Sequence, residues 1–468
     1  MKKREKKLRD PYLSTIGEKI RFALGDVGCN IMWGFIGSFL TYYYTDNVLI
    51  AAGTIGTVML VARIFDGISD IIMGFIIERT HSRWGKARPW LLWAVVPLII
   101  TFLALFYVPS SLSSTGKVVY MAVTYILLSA VTYTAVNMAY ITFFTLFAPD
   151  SNDRNVAATF RTLFAMLTAL VIGMVTMPML NSFGGVASQA AWTKLTVIYA
   201  IISFICIMIT FLGVKEKEIP VAETVKVEQK RDRKSLMQVF KGLAKGKYFY
   251  LAALLSIAFY LMNSTGGANI YFAKDIMHDE NFVGILGLVS LPAMVVGAIL
   301  APILYNKVGK RKTMVAGSII CVLACAAQLI NPYSRGMFLG LYALKGFGSM
   351  LFGTAISTLP GEVADWGEWK LGVRAEGIVT SLGSFGSKVG SGLGGGLVGW
   401  ILAAGMYDGS KAVQEQSALN AEITLMIVVP MILAIIQIVL LIFWDMDKKR
   451  PGMMEDLKHR RAGEAEEA

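Results

Sequence analysis

Uncharged apolar runs, each long enough to cross a membrane, alternate along this chain with short clusters of charge. No acidic or basic residue falls between Lys117 and Asp150, Lys247 and Lys274, Glu280 and Lys307, or Lys312 and Arg335. Each run exceeds the roughly 20 residues that cover a hydrocarbon layer about 30 Å thick. Lipid offers backbone amides no partners, so the runs are predicted as helices. They fall near 20–45, 50–78, 89–109, 118–147, 156–181 and 193–214, then 248–273, 281–305, 313–331, 336–359, 373–405 and 419–444.

The polar stretch VKEKEIPVAETVKVEQKRDRKSL, 214–236, divides these spans six and six. The organisation expected is an N-terminal six-helix bundle over 1–213, a central loop over 214–246, a C-terminal six-helix bundle over 247–445 and a tail over 446–468. Two pairs of loops argue for a duplication. After spans 2 and 8, Glu78-Arg79 and Asn306-Lys307 precede Gly85-Lys86-Ala87-Arg88 and Gly309-Lys310-Arg311-Lys312. After spans 4 and 10, Pro149, Asp150, Asp153 and Arg154 echo Pro360, Glu362, Asp365 and Glu368. The fold class expected is an all-α membrane protein, twelve helices in two pseudo-symmetric six-helix bundles.

Charge placement sets the orientation. The start MKKREKKLRD and the loops after spans 2 and 8 are strongly basic, whereas the opposite loops hold single cations such as Lys117, Lys194, Lys274, Arg335 and Lys411. The positive-inside rule then puts both termini in the cytoplasm of a multi-pass plasma (inner) membrane protein. The net charge of +12 reads as topology and lipid contact, so nucleic acid is not an expected partner. The charge ahead of span 1 and the lack of a small-residue cleavage site argue against a removable leader. Cys29, Cys206, Cys321 and Cys325 lie in spans without ligand-like spacing and read as packing residues. His81, His278 and His459 lie in loops or the tail, which leaves a zinc site or a histidine relay without support.

Ionisable residues well inside the spans are Asp26, Arg63, Asp66, Asp70, Lys345 and Lys388, with Arg161 at the start of span 5. Each costs roughly 2.5–3.5 kcal/mol at the bilayer centre. Arg63, Asp66 and Asp70 fall within an arc of about 60° on one helix face. Two carboxylates four residues apart can hold a small cation while Arg63 offsets part of their charge; the rival reading is a structural salt bridge between helices. Sodium would need further oxygens from neighbouring spans, whereas a proton would need one carboxylate. Spacing leaves that choice open. Lys388, among the glycines and serines of span 11, reads as a counter-charge. Asp26 and Asn30 of span 1, with Thr134 and Asn137 of span 4, add polar groups at helical spacing suited to a sugar; Trp33, Tyr133 and Tyr140 are available as stacking surfaces, with simple packing the favoured reading of these aromatics. Lys345 reads as a residue that snorkels toward the outer end.

YYYTD (42–46), ARIFDGISDIIMGF (62–75), SRWGKARPW (82–90) and DWGEWKLGVRAEG (365–377) together resemble the glycoside-pentoside-hexuronide:cation symporters of the major facilitator superfamily. The resemblance runs from about residue 15 to 445 and implies sugar uptake coupled to sodium, lithium or a proton, with no other cofactor. It implies that Asp66 and Asp70 bind the cation with Thr134 beside them, Ser69 standing where the melibiose-transporting branch has asparagine. Arg161 corresponds to a sugar-binding arginine, Lys388 to a lysine beside both sites, and Ser384 to a position near the sugar. Asp26, Asn30, Tyr133 and Asn137 complete the expected sugar site, while Arg63 and Lys388 balance charge.

Two departures shift the expected substrate. Asn30 and Asn137 replace aspartates of the melibiose-transporting branch, and tryptophans expected near Ile141 and Gly353 are absent. A pentoside such as a xyloside, or a hexuronide such as a glucuronide, is therefore expected in place of a galactoside. A latch is expected between Arg79, Arg83, Lys86 and Arg88 and the acids Glu362, Asp365 and Glu368. The chain is expected to act as a monomer among membrane lipids, and not as an enzyme. A lysolipid-like substrate and a sugar sensor that transports nothing are the rival functions.

Overall fold

The computed structural model describes residues 13–148, 150–217, 242, 246–371 and 376–466. The basic start and most of the central loop lie outside them. Among the described residues the chain forms thirteen helical runs. The first six are α1 (Ile16–Asn47), α2 (Ala52–Arg79), α3 (Arg88–Leu105), α4 (Ser114–Phe147), α5 (Ser151–Ser182) and α6 (Gln189–Gly213). Then come α7 (Lys247–Ile276), α8 (Phe282–Val308), α9 (Lys310–Ile330), α10 (Arg335–Lys370), α11 (Glu376–Ala404), α12 (Gln416–Ile442) and α13 (Met446–Glu466). All but α2, α11 and α13 are long and apolar enough to cross a membrane. The polar-charged α2 and the glycine-rich α11 are of similar length, 28 and 29 residues. With them, twelve helices of the major facilitator fold are present.

Side-chain caps start several of these helices by satisfying amide groups that a first turn leaves without partners. Thr15 accepts from the Glu18 amide while the Glu18 side chain accepts from the Thr15 amide, and Ser113, Asp150 and Ser188 cap α4, α5 and α6. Two of the expected loops are helical for this kind of reason. Asp150 caps α5, which places Asp153 and Arg154 in its first turn. Pro360 sits in the first turn of Leu359–Leu371, where its missing N–H costs nothing, so Glu362, Asp365 and Glu368 lie on a helical continuation of α10. The tail is helical as well, and Met453 and Leu457 of α13 enter a core cluster with Tyr248, Phe352, Leu359 and Trp444.

Contacts divide the chain into two compact units, residues 1–50 with 61–221 and residues 51–60 with 222–468. In the first, α1 approaches α6 so closely that a Cβ on Gly25 would lie 2.7 Å from Thr210 Oγ1, and one on Gly28 2.8 Å from the Ser203 carbonyl. Phe22 stacks on Tyr140 and Phe147 at one end of this unit. In the second, Gly386, Gly390 and Gly394 form a stripe at four-residue spacing on α11. Cβ atoms there would meet Ser256, the Ile257 carbonyl and Ser264 of α7 at 2.5–2.6 Å.

Each unit contains the same two devices. At one end, α1 and α7 finish in π-helical turns, Tyr43–Asn47 and Phe272–Ile276, followed by the left-handed residues Leu49 (φ 63°) and His278 (φ 53°). At the other, Gly85 (φ 104°) and Gly309 (φ 99°) turn the chain into α3 and α9. The Glu216 carboxylate accepts from the amides of Lys86, Ala87 and Arg88 at 2.8–2.9 Å, and Arg88 Nε donates to the Phe211 carbonyl at 2.7 Å. In the second unit Asp447 accepts from the Arg311 amide at 2.8 Å, and the Arg311 guanidinium donates to the Ile442 carbonyl at 3.1 Å. Glu216, just after α6, and Asp447, just after α12, thus clasp the turns that begin the third helix of their units.

Asp445 closes the second unit further, accepting from Lys247 (2.6 Å), Tyr248 (2.6 Å) and Lys449 (3.0 Å). Burial pushes its carboxyl up, but these donors outweigh burial and hold it well below the usual carboxylate range. A depressed carboxylate stabilises the fold above its unfolded pKa near 4, and that stability is lost as pH falls through the folded value. Thermal unfolding in detergent should accordingly find Asp445→Asn less stable at pH 7, with the gap to the unaltered protein closing as pH drops below about 4. The same measurement at pH 7 should show Glu216→Ala losing about 1–3 kcal/mol, since several charge-assisted hydrogen bonds go at once. An unaltered unfolding temperature would mean that the clasp carries no load.

Candidate functional site

Helix α2 presents its charges on one face and exposed Ile64, Phe65, Ile68, Ile71 and Ile72 on the rest of its circumference. Asp66 is 7% exposed and Asp70 is half-buried one turn on. Opposite them α4 widens into a π-helical turn at Leu127–Tyr133, which brings Thr134 to the pair. Thr134 Oγ1 lies 2.9 Å from Asp66 Oδ1, 3.5 Å from Asp70 Oδ1, 3.5 Å from Ser69 Oγ and 3.0 Å from the Ser129 carbonyl. Ser69 Oγ donates to the Asp66 carbonyl at 3.0 Å. One threonine proton thus faces three acceptor oxygens, two of them carboxylate. Such a group of hard oxygens suits an alkali cation or a proton.

Arg63 lies beside this group. Its guanidinium reaches Asp66 Oδ2 at 3.5 Å and rests over the Trp33 ring, 4.3 Å from the centroid. Trp33 in turn stacks on Tyr133 at 4.5 Å. The long ion pair and the cation–π contact divide the arginine between an acid and a ring. The structural salt bridge that competed with cation binding in the sequence is therefore a loose one.

A second polar group forms one turn away along α1. Arg161 of α5 donates to Asp26 Oδ1 at 3.0 Å, and Asn30 Nδ2 donates to Asp26 Oδ2 at 3.0 Å and to the Asp26 carbonyl at 2.8 Å. The guanidinium sits over Tyr140 and Phe144, 5.1 and 5.0 Å from their centroids. Its Nε has no hydrogen-bond partner among the described residues. A paired guanidinium with donors to spare, an amide and an aromatic wall are the groups that recognise sugar hydroxyls. Asn30 and Trp33 are three residues apart on α1, and Tyr133 and Thr134 are adjacent on α4, so the two polar groups share the same two helices.

The remaining expected residues are placed as follows. Asn137 is half-buried on α4, one turn beyond Tyr133 and Thr134. Tyr140, for which packing is the favoured sequence reading, is 1% exposed, stacks on Phe22 and donates to the Phe22 carbonyl; it is a packing residue against which the Arg161 guanidinium rests. Ser384 is exposed and Lys388 half-buried on α11 of the second unit. Arg79, Arg83 and Lys86 are exposed, with Arg83 lying over Trp84. Arg88 is buried within its own unit by the Phe211 carbonyl. Glu362 pairs with Lys310 and Arg450 of its own unit, and Asp365 and Glu368 are half-buried beside it on α10. The Trp33–Arg63 contact and the Ser129 carbonyl were not anticipated. Only the proximity of aromatic and charged residues in the spans hinted at the first, and nothing in the sequence marks the second.

The model of the MFS/sugar transport protein family matches residues 21–448. The isoprimeverose transporter of Lactiplantibacillus pentosus is 32% identical over 96% of this chain and 92% of its own length. A putative glycoside/cation symporter of Escherichia coli (strain K12), YagG, is 30% identical over 96% of this chain and 97% of its own. Among solved structures, a D-xylose-proton symporter superposes with a TM-score of 0.61 at 13% identity, covering 92% of this chain and 96% of that one, a likeness of fold. Nearly the whole chain is thus matched, and it belongs to the MFS/sugar transport family, within the glycoside-pentoside-hexuronide:cation symporters of the major facilitator superfamily.

Proposed function

We propose that the protein imports a glycoside, a pentoside or a hexuronide, together with sodium or a proton, by alternating access across the plasma membrane with both termini in the cytoplasm. The observation that carries this reading is the continuity of the two polar groups. Thr134 touches Asp66 and Asp70, the adjacent Tyr133 stacks on Trp33, and one turn along α1 Asn30 and Asp26 meet Arg161. A cation on Asp66 and Asp70 removes the pull of surplus negative charge on Arg63 and, through Trp33, sets the wall of the adjoining sugar site. Coupling of the two ligands then needs no long-range relay.

One cation entering down about 100 mV supplies about 2.3 kcal/mol, and a tenfold concentration gradient adds about 1.4 kcal/mol. Together, about 3.7 kcal/mol sustains roughly several-hundredfold sugar accumulation. A single coupled ion suffices for useful uptake. Acting as a monomer in lipid is part of the same reading.

In proteoliposomes, Asp70→Asn should lower cation-stimulated uptake more than tenfold while the protein still inserts; stimulation surviving in both Asp70→Asn and Asp66→Cys would remove the cation role. Arg161→Ala should weaken sugar binding about tenfold, the worth of one charge-assisted hydrogen bond, as read by equilibrium binding. Counterflow of labelled xylosides, galactosides and glucuronides, with sodium and pH varied independently, identifies the pair of substrates, and a protein that binds but shows no counterflow is a sensor.

A further inference from the structure

The second unit contains a cleft that the reading above leaves without a role. Its walls come from α7, α8, α10 and α12, and its polar lining is Asn263, Asn269, Ser290, Tyr342, Lys345 and Ser349. Helix α7 opens one side by tightening into a 3₁₀ turn at Thr265–Ala268, where two consecutive glycines weaken the α-helix.

Lys345 is the unusual member. It lies ten residues, about 15 Å of helical rise, into α10 from Arg335, and it does not snorkel as the sequence suggested. Its ammonium donates to the Met426 carbonyl at 3.1 Å and lies 4.5 Å from the centroid of the Tyr342 ring. Met426 lies in a π-helical turn of α12, Thr424–Val428, and Pro430, which has no N–H, follows it. Asn269 Nδ2 donates to the Tyr342 hydroxyl at 3.3 Å and holds that ring in place. Among the described residues no carboxylate is within ion-pair distance of Lys345. A full positive charge is therefore held at depth by a carbonyl dipole and a ring face, with donor capacity left over. Intramembrane cations are costly and are retained for a partner.

The geometry points to this cleft as a binding site for an acidic glycoside, its carboxylate on Lys345 and its hydroxyls on Asn263, Asn269 and Ser349. Side-chain amides and hydroxyls around one unpaired ammonium match a polyol that bears one anionic group. This goes beyond the import reading: the site belongs to the second unit alone, shares no residue with the Asp66 and Arg161 groups, and makes Lys345 a determinant of acidic against neutral ligand.

The test compares methyl glucuronide with methyl glucoside, which differ in the carboxylate, by calorimetric binding to the full chain in phosphatidylcholine nanodiscs. The unaltered protein should bind the glucuronide at least tenfold more tightly. Lys345→Met should remove that margin and leave glucoside affinity as it was, which also certifies its folding, and Lys345→Arg should keep the margin. Equal binding of the two ligands by the unaltered protein would overturn the proposal without recourse to a variant. So would a margin that survives Lys345→Met, or one that vanishes when phosphatidylglycerol is added to the disc, because an anionic lipid headgroup would then be the ligand of the cleft. Uptake plays no part in this readout, so absence of counterflow refutes the import reading and leaves this site standing.

Discussion

Two carboxylates held inside an apolar helix bundle are the constraint around which the first unit is arranged. Asp66 and Asp70 each carry a desolvation cost of several kcal/mol, so every neighbouring element contributes something that lessens it. Helix α4 departs from α-helical geometry at Leu127–Tyr133 to bring Thr134 within 2.9 Å of Asp66. Helix α1 contributes Trp33, which keeps Arg63 near the acids without allowing a tight pair. A short, bidentate arginine at this place would leave an ion no electrostatic reason to enter. The arginine is instead shared between Asp66 and the Trp33 ring.

The helices must also come close enough for these contacts. Gly25 and Gly28 let α1 lie against α6, and Asp26 between them meets Arg161 from α5. Close packing and polar function are thus interleaved along one helix, the small residues facing one neighbour and the acid facing another. On α11 the glycine stripe against α7 fixes the helix that carries Lys388 in the same way. In membranes, where apolar burial does not drive helices together, such contacts supply the association.

Rigid units are a precondition for motion between alternative states, and the clasps at Glu216 and Asp447 supply rigidity where loops would otherwise be loose. Glu216 follows α6 and Asp447 follows α12, and each accepts from backbone N–H at the start of its unit's third helix. Arg88 and Arg311 each add a bond to a backbone carbonyl five residues ahead of the acid. The matching π-helical ends of α1 and α7 repeat the duplication at the opposite ends of the units. The charged loops thus serve to close each bundle.

The sequence by itself determined the helical spans, the repeated loop pairs, the shared face of Arg63, Asp66 and Asp70, and which polar residues fall inside the spans. These depend on hydrocarbon thickness and on the 3.6-residue period, which act locally and can be read along one chain. The tertiary structure alone decided that Tyr140 is packed away under Arg161, that Trp33 takes the face of Arg63, that Glu216 and Asp447 clasp distant turns, and that Lys345 points into a cleft. Each of those outcomes depends on which side chain of another helix arrives opposite, and on backbone groups released by a π-helical turn or a proline. Such groups have no signature in residue type, because a carbonyl is present at every position and becomes an unusual ligand only where its ordinary partner is missing.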